Sequence, residues 1–213
     1  MLIPFGSVDP WHERRAVHRV HELVRDYGVK GFKFHPSMQA FAPNDRRFYP
    51  IYEAITEAGV PALFHTGQTG MGGSGLPGGH RIKLRYSDPM LLDDVAADFP
   101  ELTIVMAHPA VPWVDPQIAI ATHKANVYID LSGGWSPKYF PPQLVHAMSR
   151  QLRTKVLFGT DFPLHPDRPL APRLRDTRCR PGRGAAGLQG ERAAGARHHA
   201  MTFFPAVVVC TGD

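Results

Sequence analysis

Apolar runs of strand length alternate with stretches of helical periodicity along most of this chain, and that alternation restricts its fold more than any other feature. Strands are expected at Leu2–Val8, Gly31–Phe34, Pro61–His65, Leu102–Ala107, Asn126–Leu131 and Lys155–Phe158. Helices are expected at His12–Tyr27, Arg46–Ala58, Pro89–Phe99, Pro116–Lys124 and Pro141–Leu152, with Gly28, Gly59 and Pro100 standing where three of them must stop. Strand then helix, repeated, calls for a parallel sheet with right-handed crossovers. The class is therefore α/β, a partial (β/α)8 barrel with six strand–helix units. A closed barrel of eight units takes about 250 residues, and this chain has 213.

Three of the strands deliver a chemically capable residue at their carboxyl end, where β/α barrels keep their chemistry. Ala62-Leu63-Phe64 leads into His65, Thr103–Ala107 leads into His108, and Val156-Leu157-Phe158 leads into Asp161 within FGTDFP. Imidazole nitrogen and carboxylate oxygen are the donors that zinc and similar divalent ions take in hydrolytic sites. Taken singly each has a plainer reading: His65 could tie the turn before Thr66-Gly67, His108 the turn before Pro109, and Asp161 could cap a helix. Their recurrence at equivalent strand ends favours a metal-dependent enzyme. Lys33 and His35 lie two apart on one strand and project to the same face, which makes both candidates for substrate binding. His12, His18 and His21 fall on a helix and read as solvated.

Residues 70–75, GMGGSG, fit G-x-G-x-x-G, but Leu76-Pro77-Gly78-Gly79 follows instead of the helix a dinucleotide site needs. The segment from Gly67 to Ser87 is better read as a loop at the top of the barrel, with His80, Arg81 and Lys83 available to an anionic substrate.

Charge argues against a polyanion partner. The net +5 is concentrated beyond residue 170, where seven Arg face Asp176, Glu191 and Asp213, leaving +1 for everything before. Residues 1–170 therefore form the barrel and residues 171–213 a distinct tail. About two thirds of Ala171–His199 is Ala, Gly, Arg or Pro, the composition of a disordered tail or of a shifted reading frame. Phe203–Val209 is an isolated apolar run of strand type. Cys179 and Cys210 have no metal or disulfide spacing. No leader-like or membrane-length apolar run appears, so a cytoplasmic protein is expected, with a small-molecule substrate, no nucleic acid, no membrane, and room for a homo-oligomer.

In order and spacing, SVDP, GFKFHP, FHTG, AHPAVPW, YIDLSG and FGTDFP resemble the amidohydrolase-related family, the branch that includes aminocarboxymuconate-semialdehyde decarboxylase and the resorcylate decarboxylases. The resemblance covers Ile3 to about Leu170. It implies a TIM-type metal-dependent hydrolase barrel with one divalent metal, commonly zinc, at the carboxyl ends of the strands. His65 matches the fifth-strand metal ligand, His108 the sixth-strand catalytic histidine, and Asp161 the eighth-strand aspartate that both binds metal and assists catalysis. A single metal leaves Lys33 no bridging role. SVDP belongs to the third strand of such proteins yet begins here at Ser7, and no His-x-His pair occurs in the chain, so the first two strand–helix units and two imidazole ligands are expected to be missing. The activity implied is hydrolysis of an amide, lactone or related bond. The alternatives are nonoxidative decarboxylation of an aromatic or unsaturated carboxylic acid, and an inactive truncated member of the family.

Overall fold

The computed structural model describes residues 3–73, 81–133, 140–159, 161 and 207–210. All six expected strands are present, trimmed at their ends: β1 (Ile3–Gly6), β2 (Phe32–Phe34), β3 (Ala62–His65), β4 (Ile104–Ala107), β5 (Val127–Asp130) and β6 (Val156–Leu157). They pair in parallel and in chain order, so the sheet is an arc of a β/α barrel. A further strand, β7 (Val207–Cys210), lies parallel to β1, with Ile3 level with Val207 and Gly6 level with Cys210. The outer edge of β1 is therefore covered by a run whose backbone groups satisfy it. Residues 171–206 and 211–213, on which the disordered or frame-shifted tail was expected, lie outside the described residues.

The helices are α1 (Arg14–Tyr27), α2 (Pro36–Gln39), α3 (Tyr49–Glu57), α4 (Met90–Asp98), α5 (Val114–His123) and α6 (Pro142–Met148). Ala16, Val20 and Leu23 recur on one face of α1 and are buried, and Gly28 ends the helix at φ 65°, its N–H donated to the Leu23 carbonyl. His18 and His21 are exposed on α1, and His12 is exposed in the 3-10 turn before it. The short helix α2 was not expected. Pro36 opens it, and His35 Nδ1 accepts from the Met38 amide at 3.4 Å.

One face of the sheet supplies Phe32, Phe34, Phe64, Ile104, Met106, Val127 and Ile129 to a single core shared with the helices. Phe34 stacks on Phe64 with ring centroids 5.0 Å apart, and Tyr52 meets both rings edge-on. Tyr52 is fully buried and its hydroxyl donates to the Pro43 carbonyl at 3.0 Å, which removes the cost of burying that group. At the amino ends of the strands, Asn126 donates to the carbonyls of Phe99 and Leu102 at 3.0 and 2.9 Å, binding the turn after α4 to the start of β5.

With one face filled by this core, period-2 alternation sends the intervening residues to the barrel interior. His65, Ala107, Asp130 and Leu157 stand level across β3 to β6, and Lys33, Leu63, Val105 and Tyr128 form the row below.

Phe64→Ala removes a fully buried ring from the centre of the aromatic cluster. It is expected to cost about 3–5 kcal/mol of unfolding free energy, measured as a fall in the urea midpoint without loss of helical circular dichroism.

Candidate active site

The carboxyl ends of β2 to β5, with Asp161 after β6, converge on one cluster. His35 follows β2, His65 ends β3, and their rings stack at 3.9 Å between centroids and 9° between planes. His108 follows β4 and meets His65 edge-on at 4.9 Å. His65 Nε2 lies 3.2 Å from the Gln68 carbonyl, and His35 Nε2 lies 3.3 Å from Thr69 Oγ1.

His108 is fixed from several directions. Its backbone is left-handed at φ 71°, its N–H donates to the Asp130 carbonyl at 2.8 Å, and its carbonyl accepts from Gln117 Nε2 at 2.8 Å. Gln117, fully buried on α5, also donates to Thr66 Oγ1 at 3.2 Å and accepts from the Ala110 amide at 3.0 Å. Thr66 in turn donates to the Ala107 carbonyl at 2.9 Å, so the turns after β3 and β4 are tied into one unit. The His108 ring places Nδ1 3.0 Å from Ser132 Oγ, and that hydroxyl also meets Asp130 Oδ2.

Burial governs the electrostatics. His65 is held well below the ordinary imidazole value by burial, then by the neighbouring His35, His108 and Lys33. His35 is lowered to about 3 by burial, with Lys33 and His108 adding to it. Burial also lowers Lys33 to about 8, while Asp130 and Asp161 pull it back up. Asp130 is pushed up to about 6 by burial, against the Ser132 hydrogen bonds and the Lys33 charge.

His65 thus touches both His35 and His108, Lys33 is electrostatically coupled to His35 and His65, and Asp161 is coupled to Lys33 and Asp130. Asp161 is half-buried and left-handed at φ 58°. Arg81 is exposed, and its side chain is not among the described groups that meet the histidines. His80 lies outside the described residues. The ends of the loop that holds it are drawn together: the Gly67 amide donates to the Ser87 carbonyl at 2.8 Å, and Ser37 Oγ donates to the Lys83 carbonyl at 3.1 Å. Sequence reasoning missed Asp130, Ser132 and Gln117. The alternation of Tyr128 and Asp130 against Val127 and Ile129 was the available signal for Asp130, whereas Gln117 is one polar residue on a helix and carries none.

The donor types suit a divalent ion, but their placement does not. Among the described residues no group of three His, Cys, Asp or Glu side chains is positioned to hold one, and catalytic zinc takes three protein ligands. His65 and Asp161 are two. No helix among the described residues is long and apolar enough to cross a membrane.

A family model described as amidohydrolase matches residues 1–184. Among solved structures, an uncharacterized TIM-barrel protein of Bordetella bronchiseptica is 25% identical with TM-score 0.58, over 76% of this chain and 54% of that one. A 5-carboxyvanillate decarboxylase of Novosphingobium aromaticivorans with bound manganese is 18% identical with TM-score 0.55, over 76% and 55%. A 2,6-dihydroxybenzoate decarboxylase of Rhizobium is 15% identical with TM-score 0.55, over 76% and 60%. The chain thus spans between 54% and 60% of the length of these structures. No curated protein matches it.

Two measurements follow from this geometry. Dialysed after exposure to zinc or manganese, the protein is expected to hold far less than one equivalent of metal by elemental analysis, because two donors bind weakly. The second concerns acid. His35 and His65 take up protons near the usual 6.5 only when unfolded, so their contribution to stability is complete above about 6.5 and is lost as the pH falls below it. Asp130, titrating at about 6 in the fold, works the other way between about 6 and 4 and offsets one of the two. The urea midpoint is expected to fall between about pH 7 and about pH 5, and less steeply in His35→Phe.

Proposed function

The chain belongs to the amidohydrolase family, and from that membership we propose that it acts as an amidohydrolase-type hydrolase on a small organic substrate with an amide, lactone or related bond. The observation that carries this reading is His108, an imidazole directly after β4 that packs against His65 and is anchored through both its backbone and its ring. A side chain held this firmly at the open end of a barrel is suited to moving a proton to or from a reacting group, which contributes roughly 10²–10⁴-fold to rate. His65 and His35 stay uncharged at neutral pH and shape the adjoining wall. Lys33 supplies a cation from the same inner face, and Asp161 a carboxylate at the end of β6. Family chemistry adds a divalent ion, zinc in this reading, for which His65 and Asp161 are the donors the chain offers.

Lys33 also favours a second reading, nonoxidative decarboxylation of an aromatic or unsaturated carboxylic acid, because it can face a substrate carboxylate beside the acid His108 would provide. Two structures with this fold carry that activity in their names.

The test is a paired assay on the protein with added zinc or manganese. Release of carbon dioxide from hydroxybenzoates is followed alongside hydrolysis of aryl esters, lactones and anilides. Hydrolysis that falls at least about 100-fold in His108→Gln, with little change in the urea midpoint, supports the first reading. Carbon dioxide release sensitive to Lys33→Met supports the second. Activity untouched by His108→Gln counts against both, and inactivity on every substrate of the panel counts toward the inactive family member.

A further inference from the structure

We infer that Asp130 and Ser132 form a two-residue relay that holds His108 in one tautomer, with the proton on Nδ1 and the lone pair on Nε2. This rests on the reading of His108 as the proton-moving group, and it makes Asp130 and Ser132 positioning residues for it.

The Asp130 carboxylate faces two donors of Ser132, the backbone N–H at 3.3 Å from Oδ1 and the hydroxyl against Oδ2. A hydroxyl has one proton, and here it is directed to the carboxylate. Ser132 Oγ is then an acceptor toward His108 Nδ1, 3.0 Å away, so Nδ1 must carry hydrogen. The reverse polarity would set the hydroxyl oxygen against Asp130 with no proton between them, unless the carboxyl were itself protonated. Lys33, on the same inner face, favours the charged carboxylate, and Asp130 remains ionised at neutral pH with a value of about 6. With Nδ1 so occupied, the nitrogen that gains and loses the catalytic proton is Nε2. The imidazolium formed when Nε2 takes a proton keeps its Nδ1–H on Ser132 and its charge opposite Asp130.

Two glycines stand against this relay. A Cβ on Gly133, which sits at φ 95°, would lie 2.7 Å from His108 Nδ1. A Cβ on Gly159 would lie 2.7 Å from Asp130 Oδ1 and 3.0 Å from the Ser132 Cβ. Two loops thus place glycine where any side chain would push into one of the relay's hydrogen bonds. The Gln117 and Asp130 backbone contacts fix the peptide that carries the ring, so the relay sets ring orientation and tautomer on an already fixed base.

The test needs no substrate. Protein labelled with 15N in histidine is examined at about pH 8, above the ordinary imidazole value of about 6.5, and the His108 ring signals are assigned by their loss in His108→Gln. The expected result is an Nδ1–H tautomer in the unaltered protein, retained in Ser132→Thr and lost in Ser132→Ala. An Nε2–H tautomer in the unaltered protein overturns the inference, and so does an Nδ1–H tautomer that survives Ser132→Ala. Where the paired assay shows turnover, Ser132→Ala is expected to lower kcat by about 10-fold or more with KM within about twofold, and Ser132→Thr to restore it. Turnover insensitive to Ser132→Ala beside the expected tautomer change counts against the catalytic role of His108 and leaves the relay standing.

Discussion

Two-residue alternation along parallel strands joins the core of this protein to its chemistry. Phe32 and Phe34 can lie under the helices only if Lys33 faces the opposite side. Phe64, Met106 and Ile129 do the same for His65, Ala107 and Asp130 on the next strands. A slip of one residue would drive Lys33 into an aromatic core and expose Phe32 and Phe34. The packing energy of the rings therefore enforces the positions of the polar groups, and several kcal/mol of burial stand behind the placement of each. Function at this rim is positioned by residues that never approach it.

Crowding three imidazoles and a lysine at one end of a sheet has an electrostatic cost, and the structure lowers it by leaving two of the rings uncharged. His35 and His65 lie nearly parallel at 3.9 Å, an arrangement two imidazolium ions would not adopt. The charges that remain are opposite in sign: Lys33 on β2, with Asp130 and Asp161 on β5 and after β6. Because β2 is separated from β5 and β6 by β3 and β4, this balance spans the inner face and depends on the curvature of the sheet as well as on any single pair.

The sheet was legible in the sequence because its strands are compact apolar runs, and the observed β1 to β6 fall inside the expected spans. His65, His108 and Asp161 were legible because they terminate those runs. The relay was not. Asp130 reads from sequence as one more strand residue, and Ser132 as part of a turn, until the fold brings the end of β5 against the end of β4. Gln117 was further out of reach, since its three partners come from the turns after β3 and β4. Strand periodicity encodes which face a residue takes, whereas long-range hydrogen bonding depends on how neighbouring strand ends meet. The covering of β1 by Val207–Cys210 is of the second kind as well, because the apolar run was visible but its partner was not.

The distribution of charge also bears on what the rim can bind. At neutral pH Lys33, lowered to about 8, is largely cationic, and Asp130, at about 6, is largely anionic, so the wall they share carries little net charge. A substrate carboxylate gains from Lys33 only at the expense of the Lys33–Asp130 attraction, and with His35 and His65 uncharged no second cation among the described residues of this cluster makes up the difference. A neutral amide or lactone meets no such opposition, since its reacting carbonyl asks for a proton carrier and an oriented wall. These fixed charges are the physical ground on which the proposed hydrolytic reading is placed ahead of the decarboxylative one. A second cation at the rim, whatever its source, is what would have to change for a carboxylate substrate to be preferred.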